Sequence, residues 1–414
     1  MTRFLNTLLR LTTLSAKLGL TLYMGLYLSL PDIGTYGLVF AAVMILIAVL
    51  GFRFDYIVSR ELVRTTPVAA VTKMRDQILF YIMNYFALAL IAVAVMKTSV
   101  TGVDSRTLFY ILALTVTNSY VDFTYININS MERPLLANML YFIAAGLWCV
   151  LAIGLGIIAP SFRNVDTVLT AWFLGNLLYV AATFLTWRKM PWHELRGSAI
   201  NWRWIRDGIK KSCLIWLGSL GFSVGTYIDR FVVMHFLGLE KVGIAAFYFS
   251  FTAATLTLVQ AGVLSFVYPR LVALHREGDG IGFRHEMRQA TLHVALFAGL
   301  IAAVVSIAVP LLGLSFHRPQ FVDNATVLWL MMAGVWIRCN ADTLYQVLFA
   351  RHQDRAIWLG NMLYLVPMLV CNAVLVPLIG FTGVGCSAII SSLFLLLWRG
   401  WHVSRPCTSD PKKG

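Results

Sequence analysis

The chain has 414 residues, of which 59% are hydrophobic and 13% are charged, and its formal net charge is +14. A soluble globular domain carries about 25% charged residues. Together with a mean hydropathy of +0.76, this low charge content excludes a soluble protein and indicates an integral membrane protein. The length is sufficient for about a dozen helices of ~20 residues each.

Apolar stretches of membrane-spanning length alternate with short polar connections along the chain. The first stretch is not followed by a small-residue cleavage site, so it predicts a retained helix and not a signal peptide. A tight turn is predicted at 31–34, before the second span. The twelve predicted spans lie at about 12–30, 35–52, 78–96, 107–130, 135–159 and 167–187, and at about 212–236, 243–268, 290–315, 325–349, 356–376 and 383–402.

The connections predict how the chain is divided. A basic, tryptophan-rich connector, 188–211, separates an N-terminal lobe, 1–187, from a C-terminal lobe, 212–403. A polar tail, 404–414, follows the last span. Each lobe therefore holds six predicted spans.

One connection predicts a helix of its own. The segment 53–77 is polar and basic, and Val58, Leu62 and Val63 are spaced as on one face of a helix. An amphipathic helix of this kind lies at the membrane surface.

The distribution of lysine and arginine predicts the orientation. With a cytoplasmic N-terminus, 25 of the 33 Lys and Arg residues fall in inside segments, five fall in outside turns and three fall within spans. Because cytoplasmic loops collect these residues, the bias predicts that both termini are cytoplasmic. It also explains the basic charge without a nucleic-acid partner.

Polar side chains inside the predicted spans are the candidate functional residues, since ionisable groups at membrane depth usually face a bundle interior or a water-filled cavity. In the first span, Thr13, Lys17 and Thr21 recur every four residues and form one stripe. The fourth span carries a continuous polar face about four turns long. That face consists of Thr115, Asn118, Asp122, Tyr125 and Asn129.

The seventh span carries adjacent charges, Asp229 and Arg230. Gly218, Gly221 and Gly225 lie on the same helical face as Asp229. Small residues let a neighbouring helix approach closely, so this face predicts tight helix packing.

The tenth span places Arg338 one helical turn before Asp342. Tyr345 and Gln346 lie on the same side of the helix. This span therefore predicts a second charged and aromatic face.

Each charged group also has a structural explanation, and the sequence leaves both readings open. Arg338 and Asp342 could simply neutralise each other. Asp229 and Arg230 could form a latch near the outer interface, and Lys17 could extend its amine to the cytoplasmic surface.

Two short matches indicate that the halves arose by duplication. Residues 136–141 (LANMLY) in the fifth span match residues 359–364 (LGNMLY) in the eleventh, and the turn 30–34 matches the turn 239–243. Because each half has an even number of spans, the repeats run parallel. Such transporters commonly bind their substrate between the halves and rock one half against the other.

The sequence predicts no enzyme activity, no cofactor and no metal. The six cysteines have neither metal spacing nor a disulfide framework. The segment 221–225 (GFSVG) fits a nucleophile elbow, but it lies inside one apolar helix and not at a strand-to-helix turn. No outside connection has room for a catalytic domain.

Several segments resemble polysaccharide transport proteins of the Wzx type. These are lipid-linked oligosaccharide flippases of the multidrug/oligosaccharidyl-lipid/polysaccharide (MOP) exporter superfamily. Ala245 and Ala246 depart from that family, where a tyrosine usually stands close behind the glycine at 243. The similar segments are 227–243 (YIDRFVVMHFLGLEKVG), 28–37 (LSLPDIGTYG), 51–61 and 376–385 (VPLIGFTGVG).

The resemblance implies an all-α, V-shaped transporter of two six-helix lobes related by a pseudo-two-fold axis. Its substrate would be an undecaprenyl-diphosphate-linked oligosaccharide, an O-antigen, capsule or exopolysaccharide repeat unit, carried across the bacterial inner membrane by alternating access. A proton or sodium counter-ion and the glycan polymerase machinery would be further partners.

The polar side chains inside the predicted spans have the chemistry that such a substrate needs. A diphosphate head group needs cations in a wet cavity, and amide and aromatic groups suit a sugar chain. We therefore expect substrate contacts from Lys17, Arg230, Arg338, Asn118, Tyr125 and Tyr345, and ion coupling or charge pairing from Asp122, Asp229 and Asp342.

Three other functions remain open at this stage. A cation-coupled exporter of small drugs would have the same architecture, with acids dominating its cavity. A membrane-embedded glycan polymerase or ligase would need a large extracytoplasmic loop with Arg and His, which the predicted topology lacks. A scaffold without transport activity would leave the polar faces unexplained.

Overall fold

A computed structural model of the chain describes residues 2–97, 104–195 and 197–405. Within these residues the chain is all-α, without a strand, which confirms the predicted fold class. The predicted tail beyond Arg405 lies outside the described residues. The chain forms two compact units, Met1–Trp216 (unit 1) and Leu217–Gly414 (unit 2).

Unit 1 is built from α1 to α8 and the first part of α9. A π-helical turn, Ile143–Leu147, joins α6 to α7 into one long helix. The helices are α1 Thr2–Tyr27, α2 Leu30–Leu50, α3 Phe54–Leu62, α4 Pro67–Lys97, α5 Ser105–Ser130, α6 Pro134–Phe142, α7 Trp148–Ile158, α8 Val165–Trp187 and α9 Trp202–Tyr227.

Unit 2 contains the end of α9 and all later helices. A second π-helical turn, Gln260–Leu264, joins α11 to α12. The helices are α10 Asp229–Leu237, α11 Leu239–Val259, α12 Ser265–Glu277, α13 Gly280–Ser315, α14 Pro319–Asp323, α15 Ala325–Ala350, α16 Asp354–Leu363, α17 Leu365–Ile379 and α18 Thr382–Ser404.

Eight helical segments in the described residues are long and apolar enough to cross a membrane. They coincide with eight of the twelve predicted spans. The first, fourth, seventh and tenth predicted spans coincide instead with α1, α5, α9 with α10, and α15. These helices carry the polar residues selected from the sequence, and those side chains lower their hydropathy.

Side-chain caps start several helices. The Ser29 hydroxyl accepts a hydrogen bond from the backbone N–H of Asp32 at 3.2 Å, and Pro31 occupies the first turn of α2. The predicted turn at 31–34 is therefore part of α2, because a capping serine and an early proline favour a helix start. The Asn164 carboxamide caps α8 in the same way.

The prediction of one surface helix over 53–77 is wrong in its extent. The structure forms α3 and then starts α4 at Pro67, so α4 continues into the third span. Val58 and Leu62 are buried in unit 1 beside Phe54, whereas Val63 is 50% exposed. The apolar face of α3 is thus covered by protein, with aromatic rings of unit 1 packed against it.

The predicted connector is anchored on unit 1 and ends at the start of α9. The Arg75 guanidinium donates to the backbone oxygen of Ser198 at 2.9 Å. The buried carboxylate of Asp76 accepts the backbone N–H of Asn201 at 3.1 Å. Helix α9 begins at Trp202, so the second half of the connector is helical.

The glycine face of α9 contacts α16 backbone to backbone. A Cβ atom placed at Gly218 would come within 3.0 Å of the Trp358 backbone, and one at Gly221 would come within 2.8 Å of the Met362 Cα atom. This contact brings α9, the start of the seventh span, against the helix that carries the repeated LGNMLY segment.

We expect Gly221→Ala to lower stability by about 1–3 kcal/mol, because the added methyl group would push against backbone atoms of Met362 that cannot rotate away. Gly154→Ala in α7 is the matched control, since nothing lies within 4 Å of its added Cβ. A thermal unfolding assay in detergent reports both. Equal melting temperatures for Gly221→Ala and the wild type would contradict the close approach.

Asp55 lies in α3, outside the predicted spans, and is 6% exposed. Burial raises the pKa of the Asp55 carboxyl above its usual range, while the Arg53 guanidinium, 3.7 Å from the carboxylate, opposes the shift. A carboxyl group with a raised folded-state pKa binds its proton more tightly in the folded state. Its charged form therefore costs stability, and this cost disappears as the pH falls towards the unfolded-state pKa.

We expect Asp55→Asn to raise the melting temperature relative to the wild type at pH 7, because the amide removes the cost of the buried charge. The difference should shrink as the pH falls from 7 towards about 4, where the wild-type carboxyl is protonated. Paired melting curves across this range measure the difference. A difference that grows at low pH would show that the Arg53 interaction outweighs burial.

Candidate functional site

A charged cluster lies inside unit 2 between α15, α16 and α18. One Asp342 oxygen accepts hydrogen bonds from Arg338 Nε at 3.2 Å and from Arg399 Nη1 at 2.6 Å. Arg399 also donates to the Ala341 carbonyl at 3.0 Å and to Asn361 Oδ1 at 3.1 Å. Two guanidinium groups thus share one carboxylate, and the cluster keeps an excess positive charge.

Aromatic rings cover both arginines of this cluster. The Arg338 guanidinium lies 4.4 Å from the Phe222 ring centroid and 5.2 Å from that of Tyr364. The Arg399 guanidinium lies 5.2 Å from the ring centroid of Tyr345. Ring faces attract cations, so the aromatic rings replace part of the water that would otherwise solvate the two guanidinium groups.

The cluster is partly accessible. The Asp342 side chain is 28% exposed and that of Arg338 is 11% exposed, whereas that of Arg399 is 3% exposed. Arg399 therefore serves as the buried support, and Arg338 is the arginine that an anionic group can reach. Planar guanidinium groups suit phosphate because they donate two parallel hydrogen bonds.

Asp229 and Arg230 form a second, local pair in unit 2. Helix α9 ends at Tyr227 and α10 begins at Asp229. Ile228 keeps helical dihedral angles and accepts a hydrogen bond from the backbone N–H of Val232 at 3.2 Å, so the helical path of the predicted seventh span continues through it. One Asp229 oxygen accepts the backbone N–H of Arg230 at 2.8 Å and its guanidinium at 3.1 Å. The guanidinium also lies 4.1 Å from the Phe249 ring centroid. Both side chains are buried.

Three buried oxygen atoms of unit 2, one of them in this pair, lack a hydrogen-bond partner among the described residues. They are Asp229 Oδ2, Asn372 Oδ1 and Ser391 Oγ. Helix α10 packs on α17, and α17 packs on α18, so the three atoms come from neighbouring helices. Unpartnered buried polar atoms are costly, so a buried water or a bound ion would stabilise them.

On the polar face of α5 in unit 1, some side chains bond to the helix itself, whereas Asp122 is exposed. Thr115, Asn118 and Asn129 donate hydrogen bonds to carbonyl groups one turn earlier in α5. Asp122 is exposed. Asp122 is therefore the charged group of this face that a ligand could reach.

Asp122 interacts with cations from other segments, although the sequence around Asp122 contains no cation. Lys17 of α1 and Arg53 interact with it electrostatically, and so does the carboxylate of Asp55. These charges come from three separate segments of unit 1. Only packing of the segments brings them together, which is why the helical spacing could not reveal them.

A polar and aromatic network continues from this region. Tyr125 donates to Asn138 Oδ1 at 3.2 Å, and its ring lies 4.9 Å from that of Tyr141. The Lys17 amine lies 5.9 Å from the Tyr141 ring centroid. Arg10 Nε donates to the same Asn138 oxygen at 3.4 Å. The structure thus brings two expected residues, Lys17 and Tyr125, into one network.

The expected site residues fall into three groups. In unit 1 the structure collects Lys17, Asp122 and Tyr125, with Asn118 one turn along α5. In unit 2 it collects Arg338, Asp342 and Tyr345 around Arg399, and Asp229 with Arg230 forms the third group.

The repeated segments contain a signal that the sequence analysis did not use. Asn138 and Asn361 occupy the same position in LANMLY and LGNMLY, and each accepts a hydrogen bond from an arginine, Arg10 or Arg399. Arg399, near the end of the last predicted span, was counted with the inside segments and not among the candidate site residues. In the structure its side chain is buried.

No family model matches the chain, and no curated protein matches it. Solved structures do match.

The lipid II flippase MurJ, in an inward closed conformation, is 11% identical, with a TM-score of 0.77 over 97% of this chain and 88% of that chain. An inward-facing multidrug resistance MATE family transporter of the MOP superfamily is 14% identical, with a TM-score of 0.69 over 95% and 94% of the two chains. A MATE transporter from Vibrio cholerae is 17% identical, with a TM-score of 0.60 over 97% and 96%. The chain is therefore a multi-pass membrane protein with the fold of MOP superfamily transporters.

Proposed function

We propose that the chain is a flippase that moves a polyprenyl-diphosphate-linked oligosaccharide across the bacterial inner membrane. The substrate would be an O-antigen, capsule or exopolysaccharide repeat unit on undecaprenyl diphosphate. The resemblance of segment 227–243 to Wzx-type proteins and the likeness of the fold to a lipid II flippase support this proposal.

The observation that carries the proposal is the charge excess of the Arg338–Asp342–Arg399 cluster. A carboxylate shared by two guanidinium groups leaves a net positive charge, which a cationic drug would avoid and a diphosphate would seek. Because Arg338 is the more accessible arginine, the head group would contact Arg338 first. Arg399 would remain bonded to Asp342 and keep the cluster in place.

Amide and aromatic side chains complete the substrate contacts. Asn118 and Tyr125 in unit 1 and Tyr345 in unit 2 would contact the sugars, with Lys17 as a further cation for the diphosphate. The polyprenyl tail would remain in the lipid. Alternating access of the two lobes would then carry only the head group through the protein.

The unpartnered oxygens of Asp229, Asn372 and Ser391 support a role for Asp229 in ion coupling. Carboxylate, amide and hydroxyl oxygens are the ligand types that suit a hard cation. Sodium would bind these oxygens without displacing Arg230, since Arg230 uses the other oxygen of Asp229.

A cation-coupled exporter of small molecules is the second candidate function. The likeness to MATE family transporters and the exposed carboxylate of Asp122 favour it. The two functions differ in the charge of the substrate, so the test below includes a cationic drug.

We expect Arg338→Ala and Arg230→Ala each to lower the flipping rate at least about tenfold, because each removes a charged hydrogen-bonding group. The measurement uses proteoliposomes that contain an undecaprenyl-diphosphate-linked disaccharide, with an impermeant sugar-oxidising enzyme reporting outer-leaflet sugar. Arg203→Ala is the matched control, since the Arg203 side chain is 87% exposed.

Wild-type flipping by both Arg338→Ala and Arg230→Ala would disprove the cationic site. Efflux of ethidium by the wild type, without any flipping of the lipid-linked disaccharide, would instead support the exporter.

We expect an imposed sodium gradient to raise the flipping rate several-fold in the wild type and to have no effect on Asp229→Asn. Asp166→Asn, which changes a carboxylate that is 41% exposed, should respond like the wild type. Flipping rates at fixed pH, with potassium replacing sodium, measure the dependence. A wild type that responds to a proton gradient and ignores sodium would contradict the sodium site.

A further inference from the structure

A basic cavity lies in unit 1 and is lined by residues other than the charged groups discussed above. Its volume is about 530 Å³, within the range of ~300–1,000 Å³ typical of small-molecule sites. Three of its lining residues are cations, and its lining contains no acid. The lining residues are Arg133, Leu185, Thr186, Arg188, Lys189 and Met190.

Packing of the helices brings these cations together from distant parts of the chain. Arg133 immediately precedes α6, whereas Arg188 and Lys189 immediately follow α8. Helix α8 packs against both α5 and α6. The cavity is therefore a product of the fold and not of one basic run in the sequence.

The three cations have no protein counter-charge. No side-chain hydrogen bond or ion pair of Arg133, Arg188 or Lys189 occurs among residues 2–97, 104–195 and 197–405. The acid next to Arg133 in the sequence, Glu132, pairs with Arg64. An anion from outside the protein can therefore engage all three cations.

An apolar helix face adjoins the cavity. Leu185 lines the cavity and is 53% exposed. The exposed side chains of Leu178 and Leu174 lie on the same face of α8, about two and three turns back, and the exposed Phe184 lies next to Leu185. Helix α8 is long and apolar enough to span a membrane. The cavity thus lies at the end of a lipid-facing apolar face.

We propose that this cavity binds an anionic phospholipid of the surrounding bilayer. The phosphodiester would sit among Arg133, Arg188 and Lys189, and an acyl chain would lie along α8. A phospholipid matches both parts of the site, because its charged head group fits the basic cavity and its hydrocarbon chain fits the apolar face of α8. A soluble anion would use the cations but leave the apolar face of α8 without a role.

This site is independent of the proposed transport function. Its cations lie at the ends of helices, whereas the substrate residues lie within spans. Basic pockets at the cytoplasmic ends of spanning helices attract anionic head groups, and the lysine and arginine distribution predicts that this end of α8 is cytoplasmic.

The test compares two triple variants that lose the same charge. Arg133→Gln, Arg188→Gln and Lys189→Gln are combined in one protein. Arg203→Gln, Arg206→Gln and Lys210→Gln are combined in the control, where all three positions are exposed. Native mass spectrometry of the purified full chain, titrated with phosphatidylglycerol or phosphatidylcholine, counts the bound lipids.

We expect the wild type and the control to retain phosphatidylglycerol in preference to phosphatidylcholine, and the cavity variant to lose this preference by about tenfold or more. Arg133→Gln alone should cause a partial loss, which keeps the test valid if the triple variant folds poorly. Equal retention of phosphatidylglycerol by the cavity variant and the control would overturn the proposal. Competition by soluble glycerol phosphate at the same concentration as the lipid would also overturn it, because the acyl chain would then contribute nothing.

Discussion

The placement of charge in membrane-spanning helices is the constraint on which the rest of the structure depends. An ionised side chain at bilayer depth costs several kcal/mol unless the protein compensates it. Unit 2 compensates Arg338 and Arg399 with one carboxylate, Asp342, and with aromatic rings. It compensates Asp229 with its immediate neighbour, Arg230. Loss of one partner would leave an uncompensated buried charge, which is more costly than loss of the whole pair.

This compensation determines which helices must touch. Asp342 can hold both arginines only if α18 lies against α15, and Phe222 can cover Arg338 only if α9 comes close to α15. The glycines of α9 let this helix pack closely against α16, which carries Asn361 of the same cluster. The charged cluster and the glycine face are therefore two parts of one arrangement.

The spans were predictable because apolar runs of membrane-spanning length are a strong local signal. Hydropathy does not report helices that extend beyond the membrane, so the early start of α4 at Pro67 was missed. Contacts between distant segments, such as that of Lys17 with Asp122 or that of Arg399 with Asp342, depend on packing. Helical spacing predicts which side chains share a face, but not which faces meet.

The cellular fate of the lipid-linked substrate tests the proposed function most directly. In cells from which this chain has been deleted, mass spectrometry of extracted lipids should show accumulation of one polyprenyl-diphosphate-linked oligosaccharide. Expression of the wild-type chain should clear it, and expression of Arg338→Ala should not. An unchanged lipid-linked pool after deletion, with intact surface glycan, would contradict a flippase for such a substrate.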